Sequence, residues 1–176
     1  MNKSSKSRTA MAPHAASSVS PEVAAELRPG QSIALLQELH ILTRDARLNQ
    51  DSRRKLKQVY HLYQFIEKIL LELAADSQDA PAQDRTSALT VADHGAGKSY
   101  LGFILYDLFF RSRPDGWVYG IETRAELVDK SKALASALGF QRMSFLNLSV
   151  AQSATAQELP DRIDMVTALH ACDTAT

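Results

Sequence analysis

The stretch Val91-Ala92-Asp93-His94-Gly95-Ala96-Gly97-Lys98-Ser99-Tyr100-Leu101 decides how this chain folds. The residues that lead into it, Ala88 to Ala92, form a short apolar run suited to a strand buried on both faces of a parallel sheet. Beyond it, Leu101, Ile104, Leu105, Leu108 and Phe109 recur at helical spacing. Gly95 and Gly97 therefore fall in a strand-to-helix turn, the place where open α/β sheets bind ligands. Glycine admits positive φ and close backbone approach there, because it has no Cβ.

The same alternation continues downstream. Arg113-Pro114-Asp115-Gly116 turns the chain, and Trp117 to Ile121 predicts a second strand. Thr123 and Glu126 have capping-box spacing before a helix that carries Leu127, Leu134 and Leu138, with Gly139 as its stop. Met143 to Leu148 and Ile163 to Leu169 supply third and fourth strands. Strands alternating with helices predict an α/β fold, a Rossmann-like doubly wound sheet, over residues 88–176. Such a sheet ending on its fourth strand would leave that strand uncovered, so the chain is expected to be the front of a larger domain.

Upstream the periodicity changes. Residues 31–76 predict a helical N-terminal segment: Ile33, Leu36, Leu39 and His40 share one face of a first helix that fades near Arg47. A longer second helix has Asp51 or Ser52 as its expected N-cap and an apolar stripe of Leu56, Val59, Leu62, Ile66, Leu70 and Leu73. The polar residues 77–87, with Pro81, are expected to be a linker. Residues 1–30, rich in Ser, Ala and Pro and without an acid before Glu22, are expected to form a tail with too little apolar surface to offset ordering entropy.

Composition excludes several classes. The 176 residues are 45% hydrophobic and 23% charged, with 20 Lys+Arg against 20 Asp+Glu. Zero net charge gives no global argument for a nucleic-acid partner, so any such case rests on local patches. The single cysteine, Cys172, closes no internal disulfide and builds no Cys-rich zinc site, which favours a reducing, cytoplasmic setting and no metal. The densest apolar run, Leu101 to Phe110, is short and broken by Asp107, so no membrane span is expected.

Three ligand classes compete for the glycine turn. Gly97-Lys98-Ser99 matches the end of a Walker A motif, which makes a P-loop-like ATP-binding protein the alternative reading. That motif, however, wants glycine where Ala92 stands, and Asp93 would face the phosphates. A dinucleotide motif wants glycine where Tyr100 stands. S-adenosylmethionine suits the loop better, since its ammonium is attracted by Asp93 and it has no pyrophosphate to hold. Glu122, at the end of the second strand, adds a carboxylate able to accept both hydroxyl protons of a ribose. Without a ligand, the glycines would serve only a tight turn.

With Val91 to Leu101, Val118-Tyr119-Gly120-Ile121-Glu122 and the final Ala168 to Thr176 in view, residues 55–176 resemble the front of a class I S-adenosylmethionine-dependent methyltransferase. The likeness is to the subgroup with a helical N-terminal extension and an Asp-x-Gly-x-Gly-Lys-Ser-Tyr-Leu loop. The resemblance implies that Asp93, Gly95 and Gly97 contact the methionine part of the cofactor, that Glu122 holds the ribose, and that Thr123 lies by the adenine. Many relatives bind the adenine amino group with an acid after the third strand; the aligned position here is Ser149, which lacks the carboxylate. The segment after the fourth strand would lie beside the transferred methyl group, which makes His170 and Asp173 the candidate catalytic residues, as proton acceptor or orienting group. Their structural alternatives are a packing histidine and a helix N-cap. A degraded fold serving as a non-catalytic adaptor is the remaining alternative.

Arg44, Arg47, Arg53, Arg54, Lys55 and Lys57 stand against Asp45 and Asp51. A solvated helix face is the favoured reading of such a charge run; the methyl acceptor is left unknown, with a weak preference for RNA, whose phosphates the patch could meet. Tyr60, His61 and Tyr63 lie at helical spacing with Val59 and Leu62, which favours core or cofactor-lid packing over base stacking.

Overall fold

The computed structural model describes residues 19–79 and 88–169. Three helices come first: α1 (Pro21–Ala24), α2 (Ile33–Glu38) and α3 (Gln50–Asp79). Side-chain oxygens cap each start, satisfying amides that have no partner inside the helix. Ser20 Oγ accepts the Val23 amide, Ser32 Oγ accepts the Leu35 amide, and Asn49 Oδ1 accepts the Ser52 amide at 2.8 Å. The cap of α3 is thus Asn49 and not Asp51 or Ser52. Its first helix turn starts earlier than the apolar stripe does.

Two other expectations for this region are corrected. The first helix ends well before Arg47, because His40 takes positive φ (55°) and the amides of Ile41 and Leu42 both turn back onto the Leu36 carbonyl. Residues 19–30, assigned to a tail by composition, are packed. Val23 is buried, and the Arg28 guanidinium lies 4.6 Å from the Tyr63 ring centre and pairs with Glu67. A cation held over an aromatic face adds to what little apolar burial this segment has. Helix α3 buries Leu56, Ile66 and Leu70 of its stripe together with Tyr63, and runs on to Asp79.

The sheet follows as β1 (Thr90–His94), β2 (Trp117–Ile121), β3 (Met143–Leu146) and β4 (Met165–Thr167). All pairs are parallel and the order is β3-β2-β1-β4, the doubly wound α/β arrangement expected from the alternating pattern. Between the strands lie α4 (Tyr100–Leu105), which widens into a π-helical turn over Tyr106–Phe110, then α5 (Ala125–Leu138) and α6 (Val150–Ser153). Strand β1 sits two residues later than expected. The Thr90 amide and hydroxyl bind Asp164 at 2.8 and 3.0 Å, anchoring its start, and the ladder carries through to His94. The capping box expected at α5 does not form: Arg124 is the cap residue and the Thr123 hydroxyl turns to Glu122. Gly139 ends α5 at φ 69°, as its position predicts.

Phe103, Ile104 and Phe110 are fully buried in one core, where the Phe103 ring packs on those of Phe140 and Phe145. Burial of side chains of that size stabilises by about 1.5–3 kcal/mol each. Gly120 allows this packing, since a Cβ there would lie 2.6 Å from the Phe145 ring. Polar ties fix the N-terminal helices to the sheet unit. Tyr100 donates its hydroxyl to the Leu39 carbonyl at 2.9 Å, and the buried Asp107 carboxylate accepts the Ser32 amide at 2.8 Å while pairing with Arg111 at 3.0 Å. No helix among the described residues is long and apolar enough to cross a membrane.

Candidate functional site

A cavity of about 920 Å³ opens at the carboxyl ends of the strands. Parallel strands all deliver their C-terminal loops to one edge, so residues distant in sequence meet there. Asp93, Gly95, Ala96, Gly97 and Lys98 enter from the turn after β1, and Glu122, Thr123 and Arg124 from the turn after β2. Leu148 and Val150 follow β3, Leu169 follows β4, and α4 adds Tyr100 and Leu101.

The glycine turn is held from both sides. Gly95 and Gly97 have φ of 63° and 57°, the left-handed region in which a side chain is strained. The Ala96 amide donates to the Ile121 carbonyl at 3.1 Å, and the Gly97 amide donates to Glu122 Oε2 at 2.8 Å. Ser99, fully buried, also takes positive φ (53°), and its hydroxyl has no hydrogen-bond partner among the described residues. The turn thus carries strain at its end, where α4 begins.

The two acids differ in their surroundings. Asp93 is buried at the last rungs of β1, in register with Gly120 on one side and Thr167 on the other, and Thr167 donates its hydroxyl to Asp93 Oδ1 at 2.7 Å. Glu122 is buried yet surrounded by donors. Besides Gly97 it accepts the Arg124 amide at 3.0 Å, Arg124 Nε and Nη2 at 3.1 Å each, and the Thr123 hydroxyl at 3.3 Å. The Arg124 guanidinium is the main reason its carboxyl is held down to about 2. Asn147 steadies the same turn by donating to the carbonyls of Glu122 and Thr123 at 3.0 and 2.8 Å.

Of the residues singled out from sequence, Asp93, Gly95, Gly97, Glu122 and Thr123 line one cavity. Ser149 does not. Its hydroxyl accepts the Gln152 amide and its own amide donates to Gln152, the reciprocal cap of α6. His170 and Asp173 lie outside the described residues. His94 ends β1 with Nδ1 buried and without a partner among the described residues, and burial keeps its imidazole below the ordinary histidine range.

The sequence left open whether α3 around Val59 and Leu62 packs in the core or over the cofactor, and pointed to neither Lys55 nor Gln58 as a lining residue. Lys55, Gln58, Val59 and Leu62 of α3, with Ile41 before it, line the cavity too. Val59 and Leu62 are legible as stripe positions, but nothing local to them says that the N-terminal half of the stripe faces a cavity. Arg124 was also missed, because its role depends on the carboxylate two residues earlier and not on a motif.

The family described as a methyltransferase domain matches residues 54–176. Among solved structures, the chain is similar to a SAM-dependent methyltransferase from Aquifex aeolicus, with 24% identity over 35% of this chain and 31% of that one, at a TM-score of 0.31. It is similar to human methyltransferase 10 domain containing protein, with 11% identity over 57% and 46% of the two chains, at a TM-score of 0.39. It is also similar to magnesium protoporphyrin IX methyltransferase from Synechocystis, with 18% identity over 76% and 52%, at a TM-score of 0.41. The chain spans between about a third and a half of the length of these three structures. No curated protein matches it.

Proposed function

The chain belongs to the methyltransferase-domain family, and from that premise we propose that it binds S-adenosylmethionine and transfers its methyl group, with RNA as the acceptor. The observation that carries this reading is that Asp93 and Glu122, from neighbouring strand ends, line one cavity on either side of a glycine turn. The residues suit the cofactor's charge pattern. Asp93 offers a carboxylate to an ammonium, Gly95 and Gly97 admit close backbone approach, Glu122 offers acceptors to a ribose diol, and Thr123, which lines the same cavity, is our candidate neighbour of the adenine. Two buried acids are poor company for a polyphosphate, which disfavours the ATP-binding alternative.

When bound, the sulfonium supplies an already activated methyl group. The chain's own residues then bind, orient and shield the reacting pair. Leu169 lines the cavity, and the residues that follow it in sequence, His170 and Asp173, are our candidates for accepting the acceptor's proton. Ser149 is committed to a helix cap, so the adenine amino group is assigned to other contacts. The single cysteine in 176 residues supports a cytoplasmic setting.

Calorimetric titration of the full chain with S-adenosylhomocysteine tests the pocket. Asp93→Ala and Glu122→Ala should each weaken binding about tenfold or more, the scale of a lost hydrogen bond to a charged group. Unchanged affinity in both variants rejects the assignment. Transfer of labelled methyl to cellular RNA, and not to protein, supports the acceptor class; incorporation into protein alone overturns it.

A further inference from the structure

We propose that the N-terminal half of α3 is the acceptor-reading wall of the cavity, with Lys55 holding a phosphate and Gln58 hydrogen-bonding the edge of a nucleobase in a single-stranded RNA. The inference rests on the methyl-transfer reading and gives its acceptor side a location.

Lys55, Gln58, Val59 and Leu62 stand at i, i+3, i+4 and i+7, one face of a helix, and all four line the cavity. They come from a different layer of the fold than the strand-end acids assigned to the cofactor. Helix α3 packs on α4 and buries Leu56, Tyr63, Ile66 and Leu70 in the core it shares with the sheet unit, so this wall has a fixed place.

The side chains of this wall are chemically mixed. Val59 and Leu62 present an apolar surface suited to the face of a planar ring. Gln58 carries a carboxamide, a donor and an acceptor side by side, which matches the paired donor and acceptor of a base edge. Among the described residues neither the Gln58 amide nor the Lys55 ammonium has a partner, and both side chains are exposed at the mouth.

The structure also narrows the basic run read from sequence. Arg53 pairs with Glu26 at 2.9 Å and Arg54 with Asp51 at 3.8 Å. Arg44, Arg47, Lys55 and Lys57 remain exposed without acidic partners among the described residues, and of these Lys55 lines the cavity. A phosphate-bearing strand lying along this segment would reach the cavity at Lys55.

The test uses the full chain, short fluorescein-labelled single-stranded RNAs of mixed sequence, and anisotropy read across a salt series. S-adenosylhomocysteine calorimetry runs in parallel, and circular dichroism checks the fold of each variant. Gln58→Leu is expected to weaken RNA binding about tenfold and to relax base preference. Lys55→Ala is expected to weaken all sequences alike and to lower the salt slope by about one. Neither variant should change S-adenosylhomocysteine affinity. RNA affinity that is unchanged in both variants overturns the proposal. So does a loss of S-adenosylhomocysteine affinity in step with RNA affinity, which would put this face over the cofactor. A parent chain that binds a peptide but no RNA overturns the nucleobase assignment. A parent chain that binds no S-adenosylhomocysteine instead overturns the methyl-transfer reading beneath it, a separate result on a separate instrument.

Discussion

Glu122 Oε2 accepts the Gly97 amide at 2.8 Å and the Arg124 Nη2 proton at 3.1 Å, so one carboxylate joins the glycine turn of β1 to the end of β2. Its other oxygen is taken up by the Arg124 amide and Nε and by the Thr123 hydroxyl. The acceptors that a ribose would use are therefore engaged by Arg124, whose side chain is 61% exposed. The pair preorganises the carboxylate and competes with a ligand for it.

Arg124→Met should accordingly tighten S-adenosylhomocysteine binding, by severalfold, as expected for an exposed ion pair contributing up to about 1 kcal/mol. Calorimetry decides the sign. Weaker binding would mean that the guanidinium touches the ligand instead of yielding to it.

Acid should loosen the site through the same residue. The Glu122 carboxyl lies at about 2, below the ordinary value of 4.5. A carboxyl depressed in the folded state contributes stability that is complete above the ordinary value and is lost as pH falls toward the folded one. Urea midpoints of the parent should therefore decline from about pH 4.5 down to 2, and Glu122→Gln should flatten that decline. Parallel curves for the two proteins would remove Glu122 as the group responsible.

Asp107 links the N-terminal helices to the sheet unit from a side chain that is fully buried. Asp107→Ala deletes the buried acceptor of the Ser32 amide, while Arg111 keeps solvent and the Gly30 carbonyl, and should cost about 1–3 kcal/mol. Asp107→Asn keeps an acceptor for Ser32 and should cost less. Denaturant unfolding of the three proteins gives the order.

Two glycines should fail for different reasons. At Gly120 a Cβ would meet the Phe145 ring at 2.6 Å, so Gly120→Ala overpacks the core and should cost about 1–3 kcal/mol of stability. At Gly97 a Cβ would meet only ordinary contacts, the nearest being Arg124 at 3.7 Å, but φ is 57°. Gly97→Ala should cost about 1 kcal/mol in strain and weaken S-adenosylhomocysteine binding more than it weakens the fold. Thermal melts and calorimetry on both variants separate the two effects.

Much of the fold was legible because its signals are local. The apolar runs at 117–121 and 143–148, the helical spacing after Leu101 and the stop at Gly139 each lie within a few residues. Asp93, Gly95, Gly97, Glu122 and Thr123 could be read as one site because parallel strands bring every strand end to the same edge. Ser149 shows where such reading stops. Its position aligned with an adenine contact, yet a glutamine three residues on captures its hydroxyl for a cap.

Primary structure was sufficient for the α/β class, the glycine turn and the two acids beside it, all of which follow from periodicity and residue chemistry along the chain. Packing settled the rest: which half of the α3 stripe faces a cavity, that residues 19–30 dock on α3, and that Arg124 occupies the Glu122 carboxylate. Those outcomes depend on which distant surfaces meet in three dimensions, and a one-dimensional pattern carries the strength of a helix face but not the identity of its partner.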